Sequence, residues 1–120
     1  MQNTIQSHED LIVWQKSVDL CIEIYKITDT FPQREMYGIS SQMRRAAISV
    51  PSNIAEGRRR GTSRDFVQFL RIAHGSLAEL ETQLIISKKL AFCDDVSTGR
   101  LRALATEVGK MLHAMIKKLG

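Results

Sequence analysis

Apolar side chains recur every three to four residues through almost the whole chain and never alternate in twos over the length of a strand, which commits the backbone to α-helices. Leu11, Trp14, Val18, Cys21, Tyr25 and Thr28 form one stripe, with Lys16, Asp19, Glu23 and Lys26 mostly on the other side. This predicts an amphipathic helix near residues 9 to 30. Phe31-Pro32 ends it, because a residue before proline is pushed out of the helical region, and Tyr37-Gly38 makes a second break. The second stripe is Ile39, Met43, Ala46, Ala47, Val50 and Ile54, with Pro51 inside it and Gly57 and Gly61 marking the exit. Pro51 removes one backbone hydrogen bond and crowds the carbonyl of Ala47, so a kink is expected. Thr62 or Ser63 caps the third helix, whose stripe is Phe66, Phe69, Ala73, Leu77, Leu80 and Leu84, with Lys88 and Lys89 in its last turn. Ala91 to Thr98 holds the connection to a fourth, with Leu101, Leu104, Val108, Met111, Leu112, Met115 and Leu119 inward. The expected fold is all-α: an antiparallel up-down four-helix bundle with a proline kink in helix two, whose third helix of about 28 residues spans roughly 40 Å.

At 120 residues the chain suits one domain, residues 1–120, and 43% apolar content with two prolines fits an ordered globule. Met1 to Asp10 lacks the basic and apolar regions of a signal peptide, and no apolar run approaches membrane-spanning length. Cys21 and Cys93 have no metal-like spacing. A cytoplasmic protein with reduced thiols and no metal or cofactor is the expectation.

Two helices carry surplus apolar surface. Helix one has a second stripe, Val13, Leu20, Ile24 and Ile27, about 100° from the first, and helix three adds Val67, Ala78 and Ile85. Exposed stripes of this kind mark contact surfaces, so self-association is predicted, unless the bundle's own crossing angles bury both.

Charge is concentrated. Arg44, Arg45, Arg58, Arg59, Arg60, Arg64 and Arg71 face only Glu56 and Asp65 in the same stretch, which alone carries +5 in a chain of net charge +4. Guanidinium groups suit bidentate phosphate contacts, so a polyanion, nucleic acid first, is the expected partner. Arg58, Arg59, Arg60 and Arg64 surround a glycine-punctuated turn, where exposure favours polyanion contact. Arg45, Ser52, Glu56 and Arg59 share one face of helix two, which admits two readings. Arg45 and Arg59 contact phosphate with Ser52 and Asn53 as secondary donors, or Arg44 and Arg45 pair with Glu56, Glu79 or Glu81 and fix register. The pairing role is favoured for Arg44, Arg45 and Glu56. His74 is expected at an interface or in the core, and Gly75 at a close helix approach. Trp14 and Tyr25 are expected as core packing residues. Since no aromatics interleave the arginines, recognition of backbone or shape is expected over sequence readout.

The segment GISSQMRRAAISVPSNIAEGRRR, Gly38 to Arg60, closely resembles the four-helix-bundle family named for intervening sequences in large-subunit ribosomal RNA genes. LIVWQKSVDL, Leu11 to Leu20, and FVQFLRIAHGSLAELETQLIISKKL, Phe66 to Leu90, look like that family's first and third helices. The resemblance implies a small cytoplasmic bundle assembling into a homopentamer. A similar bundle is the accessory protein of diversity-generating retroelements, which implies a basic surface engaging nucleic acid and a reverse transcriptase. Structured RNA is thus the implied ligand, and a protein-interaction scaffold the competing reading. Two departures stand out: three consecutive arginines after Gly57, and Cys93 where an aromatic is common.

Catalysis finds no support in the motifs. A di-iron bundle needs Glu-x-x-His pairs, but Arg71 precedes His74 and Lys110 precedes His113 at that spacing. An arginine separated from a following histidine by four to six residues, as in helical-bundle ribonucleases, is absent too. No Walker loop, dinucleotide fingerprint or nucleophile elbow occurs. A non-enzymatic binding protein is the expectation.

Overall fold

The computed structural model describes residues 7–120, so the polar start at residues 1–6 lies outside it. Four helices make up the bundle: α1 (Ile12–Thr28), α2 (Ile39–Arg59), α3 (Ser63–Lys89) and α4 (Asp95–Leu119). Short 3-10 turns lie at His8–Asp10 and Gln33–Glu35, and no strand occurs among the described residues. Each helix packs on its sequence neighbours and α4 closes against α1, filling a rod of 50 × 24 × 21 Å. No helix among the described residues is long and apolar enough to cross a membrane.

The links explain the antiparallel order. Gly61 takes φ +90°, a conformation that L side chains rarely adopt, and so turns the chain between α2 and α3 in three residues. Thr62 Oγ1 then accepts the Asp65 backbone N–H at 3.1 Å, capping α3 as its sequence predicts. After α3, Ala91 sits at φ 63° while its N–H donates to the Lys88 carbonyl and that of Phe92 to the Ser87 carbonyl, both at 2.9 Å. These two bonds make a Schellman motif, with alanine in the place glycine usually takes.

Three expectations need correction. The α1 core stripe is Val13, Ser17, Leu20, Ile24 and Thr28, which takes three members from the expected surplus stripe and only Thr28 from the expected core stripe, while Trp14 is half-buried and Tyr25 exposed. Ser17 Oγ donates to the Trp14 carbonyl at 2.8 Å, so this polar residue enters the core already satisfied. Next, α4 begins at Asp95, inside the stretch expected to be a connection, because the Asp94 carboxylate accepts the Ser97 N–H at 2.7 Å. That hydrogen bond holds the Asp94 carboxyl below its ordinary range. Third, Gly57 is no exit but a buried helical residue, and α2 runs unbroken through the buried Pro51 to Arg59. Both cysteines are free.

Ion pairs tie α1 to α4: Lys16 Nζ lies 2.9 Å from Glu107, and Arg100 Nη1 donates to Glu23 Oε1 at 2.7 Å. The Arg100 hydrogen bond is the chief reason that the Glu23 carboxyl is held below the usual carboxylate range. A carboxyl depressed in the folded state adds stability above its unfolded pKa and loses it as pH falls through the folded one. Glu23→Gln should therefore be slightly less stable than the parent at neutral pH, by under about 1 kcal/mol for so exposed a pair. Denaturant midpoints should show that gap closing below about pH 4. A gap that widens in acid contradicts the assignment.

Candidate nucleic-acid interface

A helix turns about 100° per residue, so consecutive arginines cannot all face one way. At the α2/α3 turn, Arg58 is half-buried and Arg59 exposed, while Arg60 Nη2 donates to Glu56 Oε2 at 2.8 Å with its guanidinium 4.9 Å from the Phe69 ring centre. Arg64 and Arg71 are exposed on α3 and point to the α3/α4 groove. Arg59, Arg64 and Arg71 form no ion pair among the described residues. One end of the rod, from the α2/α3 turn into the adjacent groove, thus presents unneutralised guanidinium groups.

Arg44 and Arg45 separate as neighbours on a helix must. Arg44 reaches back to the end of α1, where Nε donates to Thr28 Oγ1 at 2.8 Å and Nη2 to Asp29 Oδ1 at 2.8 Å. Its guanidinium lies 4.6 Å from the Tyr25 ring centre, a cation–π contact that adds to the pair. Arg44 thus pairs with Asp29, not with Glu56, Glu79 or Glu81. Glu56 instead pairs with Arg60. Arg45 is exposed in the α2/α3 groove, where it lines a ≈ 260 Å³ cavity with Gln42, Ala46 and Glu79 without forming an ion pair.

The same groove uses up a donor expected to be available for phosphate. Asn53 Nδ2 donates to the Ser49 carbonyl at 2.8 Å and to Ser49 Oγ at 2.9 Å, and Ser49 Oγ lies 2.8 Å from Ser76 Oγ across the helices. Ser52 stays exposed.

Of the two settings expected for His74, interface or core, the structure excludes the core. This side chain is exposed and lines a ≈ 740 Å³ cavity between α3 and α4 with Arg71, Gly75, His113, Ile116 and Lys117. Glu81 lies farther along this groove, beside Lys110. Lys110, His113 and Lys117 were missed by the arginine count, although their three- and four-residue spacing sets them on one face of α4, outside the buried Val108–Leu112 stripe. Only the α3–α4 pairing reveals that they join Arg64 and Arg71. Gly75 has no atom within 4 Å of a built Cβ, so it permits no close helix approach; Gly109, facing Leu77 at 3.2 Å, does. Among the described residues no group of three or more His, Cys, Asp or Glu side chains is placed to hold a metal.

An apolar face lies on the opposite side. Ile22 is 50% exposed, Tyr25 37% and Ile48 43%. Ile48 is one turn beyond Arg44, which covers Tyr25, so in an antiparallel pair it lies level with the turn of α1 that carries Ile22.

The model of a family described as 23S rRNA-intervening sequence protein matches residues 9–114. The crystal structure of a protein of unknown function from the S23 ribosomal protein family of Bacteroides thetaiotaomicron VPI-5482 is also similar, with a TM-score of 0.80 at 25% identity. The match covers 88% of this chain and 99% of that one. No curated protein matches the sequence.

Proposed function

This chain belongs to the 23S rRNA-intervening sequence protein family, and from that premise we propose that it is a non-enzymatic, self-associating bundle that binds nucleic acid, structured RNA above all, through its arginine-rich end. One observation carries the reading: Arg59, Arg64 and Arg71 stand exposed at that end without a carboxylate partner among the described residues, whereas Arg44 and Arg60 are engaged within the chain. Exposed guanidinium groups with no internal role are what phosphate neutralisation requires. No catalytic step and no cofactor belong to this reading. Self-association rests on the apolar face of Ile22, Tyr25 and Ile48 beside the half-buried Trp14 and Val18, a surface suited to a second copy. A homopentamer in the cytoplasm is the assembly that the family resemblance implies.

Binding that neutralises about five phosphates gives a slope of log affinity against log salt of roughly −3.5 to −4.5. Changing Arg59, Arg64 and Arg71 together to glutamine should flatten the slope by about two to three and weaken every RNA probe alike, since phosphate contacts carry no sequence information. Helix content and particle mass by light scattering should stay as in the parent. A salt-independent affinity in the parent defeats the nucleic-acid reading, and the protein-interaction scaffold then takes its place. A monomeric mass at micromolar concentration defeats self-association.

A further inference from the structure

Three depressions along the outer α3/α4 groove run into one another. The ≈ 740 Å³ cavity shares His74 and His113 with one of ≈ 370 Å³ that reaches Glu81, Thr106 and Lys110. It shares Arg71 with another of ≈ 370 Å³ that reaches Arg64, Val67 and Leu119. The resulting trough follows α3 from Arg64 to Glu81, about 25 Å at 1.5 Å per residue. Arg64, Arg71, Lys110 and Lys117 with two imidazoles face Glu81, the one acidic side chain lining it among the described residues, while Gly120 lines it beside Arg71. Buried Val67 and half-buried Ile116 and Leu119 provide an apolar floor between the charges.

Gly75 lies midway along the trough. Glycine is the poorest helix former after proline, and inside a helix it is usually explained by a neighbour that leaves no room for a Cβ. Gly57 and Gly109 have such neighbours in Phe69 and Leu77; Gly75, in the middle of α3, has nothing within 4 Å. Gly99 in α4 is equally open, so the open space alone assigns no role; at Gly75 it lies within the trough and leaves a ligand backbone room to approach the α3 wall.

We propose that the α3/α4 trough holds a single phosphodiester strand, with Arg64, Arg71, Lys110 and Lys117 on its phosphates and the sugar–phosphate chain passing closest to the protein at Gly75. This rests on the nucleic-acid reading above and goes beyond it by naming the groove and the strandedness. The α2/α3 arginines then stand at one mouth of the trough, and α4 supplies half of the contacts.

Gly75 also provides the test, because a side chain there meets open space and removes a poor helix former, so folding is not at risk. Labelled twelve-nucleotide oligo(U) and a twelve-base-pair RNA duplex are titrated by anisotropy over a salt series with the parent, Gly75→Gln and Gly75→Glu. Expected for oligo(U) are a loss of tenfold or more with Gly75→Glu, a clearly smaller loss with Gly75→Gln, and tighter parental binding than for the duplex. Parental binding with a steep salt slope that Gly75→Glu leaves unchanged overturns the trough while the nucleic-acid reading stands. Duplex binding tighter than oligo(U) overturns the single-strand assignment. Absence of salt-dependent binding to either probe overturns both. If twelve-residue oligoglutamate displaces oligo(U) at equal charge, the trough is a dock for acidic protein segments and the proposal falls.

Discussion

Gly57→Ala should unfold more easily than the parent, by about 2 kcal/mol, although alanine is the better helix former by about 1 kcal/mol. The cause lies across the α2/α3 interface. A Cβ at Gly57 would stand 2.6 Å from Phe69 Cβ and 3.1 Å from Phe66 Cδ1. The first contact cannot be relieved by a rotamer change, because Phe69 Cβ is fixed to the α3 backbone; the helices must move apart. Overpacking of a well-filled site costs typically ~1–3 kcal/mol, and a backbone-anchored clash belongs at or beyond the upper end, which exceeds the propensity gain. Gly99→Ala supplies the opposite sign: with nothing within 4 Å in α4, it should be neutral or up to ~1 kcal/mol stabilising. Urea unfolding followed by helical circular dichroism at one protein concentration reads both. Should Gly57→Ala match Gly99→Ala in sign, α2 and α3 do not approach as closely as described here.

The glycines also show what sequence reveals and what it leaves open. Gly57 is followed by three arginines and then Gly61, so it reads as turn punctuation, and Phe69 becomes its neighbour only when α3 folds back. The four helices were legible because their apolar spacing is local, as was the Thr62 cap three residues ahead of Asp65. The inward face of α1 was not. Its two apolar stripes lie side by side, and the one interrupted by a serine is the core. Ser17 qualifies because its hydroxyl bonds to the carbonyl of Trp14 within its own helix, a satisfaction that hydropathy does not register. Asp94 was legible in principle, since Ser97 lies three residues on, but the surrounding polar stretch read as loop.

Charge shows the same limit in another form. The counted arginines lie on α2, its following turn and α3, yet helical rotation divides them among the α1/α2 side, the α2/α3 groove and the α3/α4 groove. Arg44 and Arg60 have partners within the chain, and the cations that complete the trough come from α4, some forty residues away in sequence. A cluster in sequence is therefore a poor guide to a cluster in space once it lies on helices.

Leu80→Ala should be the most damaging conservative truncation, at about 2–5 kcal/mol. Leu80 is 0% exposed at the middle of α3, in a core that also holds Leu20 and Ile24 of α1, Met43, Ala47 and Val50 of α2, and Leu101 and Val108 of α4. The truncation removes three carbons from a core to which all four helices contribute, and close-packed neighbours fill such a space only in part. A domain of this size has ~5–15 kcal/mol in total, so the loss is a large fraction and should lower the melting temperature by about 10 °C or more. Leu90→Ala gives the scale, because Leu90 is exposed at the end of α3 and its truncation should stay within about 0.5 kcal/mol. Self-association adds a stabilising term that grows with protein concentration, so the comparison is made at several concentrations. If the assembly forms through the Ile22, Tyr25 and Ile48 face, Leu80→Ala lowers the melting temperature at every concentration while the slope with concentration keeps its parental value. A cost below about 1 kcal/mol would mean that the four helices do not share one close-packed core.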